Sequence, residues 1–499
     1  MKTKQFFIVL VTILSVTLNA QNTKEETIDF FIEKTLSEFK EIPSIAISVV
    51  KDNKPYFIKT YGYTDSENKI KATTASPYYI ASLTKSFVGL LAAQLEQEGL
   101  LDLNKPITEY TPIKNFKDNS VFKNVTITNL LSHTSGINNV IFTWRYASIG
   151  EYTTMDMIRV LEEKTSSLKN NKSYRYDNFG YNVFGLILSE EFGLNWKDLL
   201  QEKIFNPLQM VHTSSYLSKA EKNNWNIAKP YTSINEKRLP ELALTQKDDQ
   251  TFQSAGGIIM SIEDAQKWLL INMNNGELNG KQLLNKDVVL RTQSSISITK
   301  NKGSIFNDNS YGLGWTRAKF GSHDALYHFG GFDGYFSHIS FLPEDNIGIA
   351  VFTNESHFGD NVSNLIASFI YDLLLENIKN ENEYQNKVNQ VANKIKSIQQ
   401  DFADDRLDRA NRKWTLMHDF ENYSGNYENK YVGTLHIETY KNTLKANIGI
   451  STAIATPSYK DDSIRVEFKN GQGSDILFVS NNKGTFAAVF GGNVYLKKQ

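Results

Sequence analysis

The hydrophobic pattern of this chain changes period once, and that change constrains the fold more than any other feature. Across residues 377–412 Asn, Lys, Glu and Gln dominate and apolar residues thin out, which reads as a charged helical connector. Beyond it the period becomes two. Residues 433–439, 443–447 and 463–468 alternate, and 476–479 runs apolar, between the turn signals Lys441-Asn442, Gly471-Gln-Gly473 and Lys483-Gly484. Residues 413–499 are therefore expected to form a small all-β domain. The chain has 499 residues, so the stretch before the connector is long enough for a core of its own.

That earlier stretch mixes two periods. Ile28, Phe31, Ile32, Leu36 and Phe39 recur at helical spacing over residues 24–40. Residues 44–50 and 56–62 flank the turn signal Lys51-Asp-Asn-Lys-Pro55 and read as a hairpin. Leu83, Phe87, Leu90, Leu91 and Leu95 make one stripe over 83–98, closed by Gly99, so a helix is expected there. Further helices are expected at 155–164, 181–192, 262–274 and 362–375, and antiparallel strands at 325–328, 335–342 and 347–352. No repeat of 20–50 residues is visible. Residues 21–376 should thus form an α/β (α+β) domain, an antiparallel sheet flanked by helices with a helical subdomain.

The N-terminus bears on compartment. Lys2 and Lys4 precede the apolar stretch 6–18, and the small Ala20 stands before Gln21-Asn22, the pattern of a secretory signal peptide cleaved near Ala20. A periplasmic or secreted location follows as an expectation, with no membrane span, because the run is shorter than the roughly 20 residues a bilayer needs. Charge excludes one large class of partner. With 54 Lys+Arg against 55 Asp+Glu and no basic block, nucleic-acid binding is not expected. Cysteine is absent, which removes disulfides, thiolate metal sites and cysteine nucleophiles. The eight histidines form no His-Glu-x-x-His pair, so a zinc peptidase is not expected, and no metal or other cofactor is part of the expectation.

The chemistry begins at Ser82-Leu-Thr-Lys85. A serine nucleophile needs a base, and a lysine three residues on shares its helical face. Eight Ser-x-x-Lys matches occur, starting at Ser37, Ser48, Ser66, Ser82, Ser120, Ser166, Ser297 and Ser480. Only Ser82 stands at the start of a long apolar helix, where free N–H groups favour an alkoxide and burial lowers the lysine pKa. The bland alternative is a helix cap beside a solvated lysine. Tyr176-Asp-Asn178 follows just before the helix expected at 181–192; a phenol can move protons and an amide can hold a substrate carbonyl. His328-Phe-Gly-Gly331 is expected to end a strand, where glycines admit a substrate backbone and a free N–H can hold an oxyanion. His133 offers a rival base, although 130–136 reads more simply as a helix ending in a turn. No Gly-x-Ser-x-Gly elbow and no phosphate loop is present.

Together these segments resemble the serine β-lactamase and penicillin-binding-protein superfamily, in the branch of class C β-lactamases, D-alanyl-D-alanine carboxypeptidases, D-aminopeptidases and esterases. The resemblance covers roughly residues 25–375 and extends to Thr128-Asn-Leu-Leu-Ser-His-Thr-Ser-Gly136, Ser254-Ala-Gly-Gly257 with Glu263-Asp264, and Tyr311-Gly-Leu-Gly-Trp315. It implies the β-lactamase/transpeptidase-like fold, with Ser82 acylated and Lys85 and Tyr176 sharing proton transfer. It further implies that Asn178 contacts the substrate amide, that His328, Gly330 and Gly331 form the third motif, and that the N–H groups of Ser82 and Gly331 make the oxyanion hole. The C-terminal β domain looks like a module often appended to such hydrolases. Lactam-hydrolysing members carry Lys-Thr-Gly or Lys-Ser-Gly where this chain has His328-Phe329-Gly330, so a fixed cation and a hydroxyl for a substrate carboxylate are missing there. The expected activity is acyl-enzyme hydrolysis of small esters, amides or D-residue peptides. The rivals are a β-lactamase and a non-catalytic binder of peptidoglycan-like peptides; the oligomeric state stays open.

Overall fold

The computed structural model describes residues 23–168, 173–235, 239–299, 305–378, 382–482 and 484–498. The signal peptide expected at residues 1–20 and the Lys483 position of the last turn signal lie outside the described residues.

Ser44–Lys51 is apolar at nearly every position, and the reason is that both of its faces are covered. Ile47 and Val49 join a core with helices Lys24–Glu38 and Gly359–Leu374, while Ala46 and Val50 face helices Thr84–Gln97 and Ile262–Met273. The strand pairs with Ile347–Thr353 on one side and Lys54–Asp65 on the other. The sheet continues through Tyr335–Leu342, His323–Phe332, Thr316–Phe320 and Asn307–Tyr311, antiparallel at every pairing. A layer of helices thus lies on each face of an antiparallel sheet. Helix Thr84–Gln97 is buried around most of its circumference, with Phe87 stacked on Trp268 at 3.8 Å between ring centroids. Burial of one such aromatic contributes about 1.5–3 kcal/mol. Gly89 is required here, since a Cβ would stand 2.2 Å from the Leu313 carbonyl oxygen of the Tyr311-Gly-Leu-Gly-Trp315 segment.

Residues 382–410 form one 29-residue helix, Asn382–Ala410. It is more than a spacer, because Tyr384, Val388 and Ile395 bury against the sheet-bearing region and Tyr384 packs on Phe31 and Phe369. After it a second nine-stranded sheet runs from Gly425 to Lys497. Its two edges, Ser451–Ile454 and Thr456–Pro457, are separated by one residue, so the sheet curls almost into a barrel around Tyr423, Tyr427, Leu435, Ile464 and Tyr495. Strands Gly425–Asn429, Gly484–Phe490 and Asn493–Lys497 were not among those expected; the first and last are only five residues long, and Ala487-Ala488 interrupts the alternation of the other. Among the described residues no helix is long and apolar enough to cross a membrane.

Candidate active site

Strand Pro77–Tyr79 pairs with Ile259–Ser261, and Ile80 N–H donates to the Ile258 carbonyl, which brings the turn around Ala255 beneath the start of helix Thr84–Gln97. Ser82 sits in a single 3₁₀ turn, Ala81–Leu83, just before that helix. It is no cap, for neither turn nor helix has a side-chain cap bond. Ala81 holds φ +45°, a left-handed conformation that costs a non-glycine residue about 1–3 kcal/mol and aims the following serine.

Lys85 is 0% exposed, and its Nζ donates to Ser82 Oγ at 3.1 Å, Asn178 Oδ1 at 2.7 Å and the Ala255 carbonyl at 2.8 Å. Three acceptors use all three ammonium protons. Burial lowers the Lys85 pKa to about 7, against the pull of Asp177, so charged and neutral forms coexist near neutral pH. The neutral form retains two protons and a lone pair. With Asn178 and Ala255 fixed as acceptors, the lone pair falls to Ser82.

Tyr176 closes the site from the other side. Lys85 Nζ lies 4.9 Å from its ring centroid, and Ser82 is a hydrogen-bond partner of its hydroxyl. Burial of that hydroxyl end raises the Tyr176 pKa, the Ser82 bond opposing it, so the resting phenol is protonated and Lys85 is the stronger candidate base. Asn178 stands at the start of helix Phe179–Phe192 without capping it, because its side-chain oxygen accepts from Lys85 instead.

His133 is hydrogen-bonded on both sides of Tyr176. Its Nδ1 accepts the Asp177 N–H at 3.3 Å and its carbonyl accepts the Arg175 N–H at 2.9 Å, so one residue clamps both sides of Tyr176. Burial, then the Lys85 charge, pushes its pKa well down, and the neutral ring lies 4.5 Å from that of Tyr176. The clamp needs φ +61°, which Asn tolerates better than Ala. His133→Ala should lower kcat about 10- to 100-fold by misplacing Tyr176, with KM moving less, and His133→Asn should recover part of it. Steady-state kinetics of the two variants check this.

The opposite wall is strand His323–Phe332, which runs on past His328 rather than ending there. His328 is 4% exposed; its Nδ1 donates to the Phe329 carbonyl at 2.6 Å and its Nε2 accepts from the Tyr311 hydroxyl at 3.2 Å. Burial and the nearby Lys85 charge push it down to about 3, so it is neutral and both nitrogens are taken. Gly330 has a steric reason, since a Cβ would lie 1.9 Å from the Ile80 carbonyl oxygen, to which Ser337 Oγ also donates at 2.8 Å. A Cβ at Gly331 would meet only the Phe336 ring, at 4.0 Å. Among the described residues no cluster of three or more His, Asp or Glu side chains could hold a metal ion.

A family model described as Beta-lactamase matches residues 32–369, well over half of the chain. The chain belongs to this Beta-lactamase family. Protein flp of Staphylococcus aureus (strain COL) is 28% identical over 339 residues, which cover 67% of this chain and 64% of that protein. Unguisins hydrolase ungD of Aspergillus violaceofuscus is 26% identical over 338 residues, 64% of this chain and 59% of that one. The chain thus matches less than two thirds of the length of these curated relatives. Among solved structures, an octameric penicillin-binding protein homologue from Pyrococcus abyssi superposes with TM-score 0.60 at 22% identity, covering 95% of this chain and 99% of that one. D-amino acid amidase from Ochrobactrum anthropi SV3 does so at 0.58 and 20%, covering 70% and 100%. These likenesses establish the fold.

In this Beta-lactamase family member, two supporting residues were not singled out as site residues from the sequence. The Ala255 carbonyl binds Lys85 as a backbone atom, so its residue type is silent. Asn182 Oδ1 accepts from Ala255 N–H at 3.3 Å while its Nδ2 donates to Gln253 at 2.6 Å, fixing that carbonyl. Asn182 is buried one turn after Asn178, and a polar residue in an otherwise apolar helix was the clue that could have found it.

Proposed function

We propose that this chain is a serine hydrolase that acts through an acyl-enzyme on Ser82. The observation that carries the proposal is the 3.1 Å contact from a fully buried Lys85 amine to Ser82 Oγ, with the other two amine positions satisfied. Neutral Lys85 takes the Ser82 proton as Oγ attacks the substrate carbonyl. The oxyanion is held by the N–H groups of Ser82 and Gly331. Tyr176 passes its phenolic proton to the departing oxygen or nitrogen and is reprotonated from Lys85. Water then enters, loses a proton to the same pair, and releases the acid. Asn178 orients the Lys85 amine and receives the substrate amide.

Substrates are small esters, amides and peptides with D-residues, a choice supported by the neutral His328 and by the hydrolase and amidase relatives. A lactamase needs a charge for the drug carboxylate, and His328 supplies none. A non-catalytic binder needs no nucleophile with a buried amine beside it. Catalysis is assigned to residues 21–376, with 377–412 as connector and 413–499 as a separate β domain.

Intact-mass detection of an acyl adduct tests the proposal, screened over p-nitrophenyl esters, D-amino-acid amides, D-Ala-D-Ala peptides and nitrocefin. A transient adduct with turnover of an ester or amide supports it; ligand binding with no adduct on any of them contradicts it. Tyr176→Phe, which removes only the hydroxyl, should lower kcat by about 10²–10⁴-fold with little change in thermal stability. An unimpaired Tyr176→Phe enzyme would give the whole proton transfer to Lys85.

A further inference from the structure

Phe332, next after Gly331, carries two lysines on its ring. Lys247 Nζ stands 3.8 Å from the Phe332 centroid and 5.4 Å from that of Tyr79, three residues before Ser82. Lys469 Nζ, from the C-terminal sheet region, stands 4.9 Å from the same Phe332 centroid. Among the described residues neither ammonium is within ion-pair distance of a carboxylate. Lys247 donates only to the Ala147 carbonyl, at 2.5 Å. The acids nearby, Asp333 and Asp248, accept hydrogen bonds from the Thr245 and Thr251 hydroxyls, and each still attracts one lysine from beyond ion-pair distance, Asp333 attracting Lys469 and Asp248 attracting Lys247. Burial lowers the pKa of both lysines, and Lys469 lowers Lys247 further. Each lysine thus holds its proton less readily than a free one, and an anion between them would favour the ammonium form of both.

The C-terminal region is tied to both sides of this spot. Asn470 Oδ1 accepts the Leu244 N–H at 2.8 Å, and Gly471 lies against Ile234 and Phe402. On the other side Ile450 N–H donates to the Ile149 carbonyl at 3.0 Å, two residues from Ala147. Lys469 is therefore held over the Phe332 end of the strand by fixed backbone contacts.

The direction of the substrate follows from Tyr176. Its ring lies 6.2 Å from that of His328, so the leaving group that it protonates departs at the His328 end of the strand. On the acyl-enzyme reading, the acyl half would then extend the opposite way, past Gly331 toward Phe332.

We propose that Lys247 and Lys469 form a subsite for a carboxylate on the acyl half of the substrate, with the C-terminal region contributing half of it. This rests on the acyl-enzyme reading above. It is distinct from a carboxylate on the leaving group, for which neutral His328 offers no charge. The acyl groups favoured are short dicarboxylic acids esterified or amidated at one end.

The p-nitrophenyl esters of butyrate and of glutarate (monoester) differ by one terminal carboxylate. Wild type should show kcat/KM for the glutarate monoester about tenfold or more above butyrate. Lys469→Gln and Lys247→Gln should each lower that ratio several-fold, and a ratio cancels any general loss of activity. A wild-type ratio near or below one, or a ratio unmoved in both variants, would overturn the subsite. If wild type cleaves neither ester, the acyl-enzyme reading fails separately, and calorimetric titration of glutarate into the Ser82→Ala protein decides the subsite alone. Binding weakened about tenfold by Lys469→Gln supports it, and absence of binding overturns it.

Discussion

Ser82→Ala is expected to reduce turnover of any ester or amide substrate by roughly 10⁴–10⁶-fold and to eliminate labelling by a fluorophosphonate. The effect is this large because the hydroxyl is the atom that bonds to substrate; the Lys85 amine and the oxyanion donors cannot form an acyl-enzyme without it. The fold should survive. Ser82 is one of three acceptors on Lys85, and Asn178 and Ala255 keep the amine bound when it is gone. No other Ser-x-x-Lys can substitute in this site, since only Ser82 has Lys85 as its partner. Thermal melting beside the labelling assay separates loss of chemistry from loss of structure.

Lys85→Met is the second large effect, about 10³–10⁴-fold in kcat/KM. Its sharper signature is in pH. Burial places the Lys85 pKa at about 7, and the neutral amine is the form that accepts the Ser82 proton. Activity of the wild type should therefore rise as pH increases through about 7 and level off above it. The position of the rise distinguishes Lys85 from a base of the carboxylate type, whose rise would be complete well below pH 6. It also distinguishes Lys85 from His328, held down to about 3, which would impose no change near neutrality. In Lys85→Met the residual rate should lose the inflection. A residual rate that kept it would assign the titration to another group.

Much of this site was legible before any coordinates because the residues that do chemistry carry local signals. Ser82 and Lys85 are one helical turn apart at the head of an apolar stripe, and Tyr176 and Asn178 directly precede a helix. The alternation beyond residue 412 likewise pointed to strands, and a second sheet stands there. What stayed hidden depends on chain segments far apart in sequence. His133 reads as a turn residue or a base until its contact with Asp177, 44 residues on, is seen. His328 looks like a free polar group at a strand end, yet Tyr311 and the Phe329 carbonyl occupy it inside a longer strand. Burial could not be read from the Tyr-x-Asn pattern, so the raised Tyr176 pKa, which leaves Lys85 as the base, was not foreseen. Lys247 and Lys469 carry no motif at all; only the shared Phe332 ring brings them together.

The central claim is that a buried, partly neutral Lys85 activates Ser82. The rate of fluorophosphonate adduct formation, followed by intact mass from about pH 5 to about pH 9 with peptide mapping of the modified residue, tests it most directly. A single adduct on Ser82, forming faster as pH rises through about 7, is the predicted result. An adduct that maps elsewhere, or a Ser82 adduct whose rate does not change across neutrality, would contradict it.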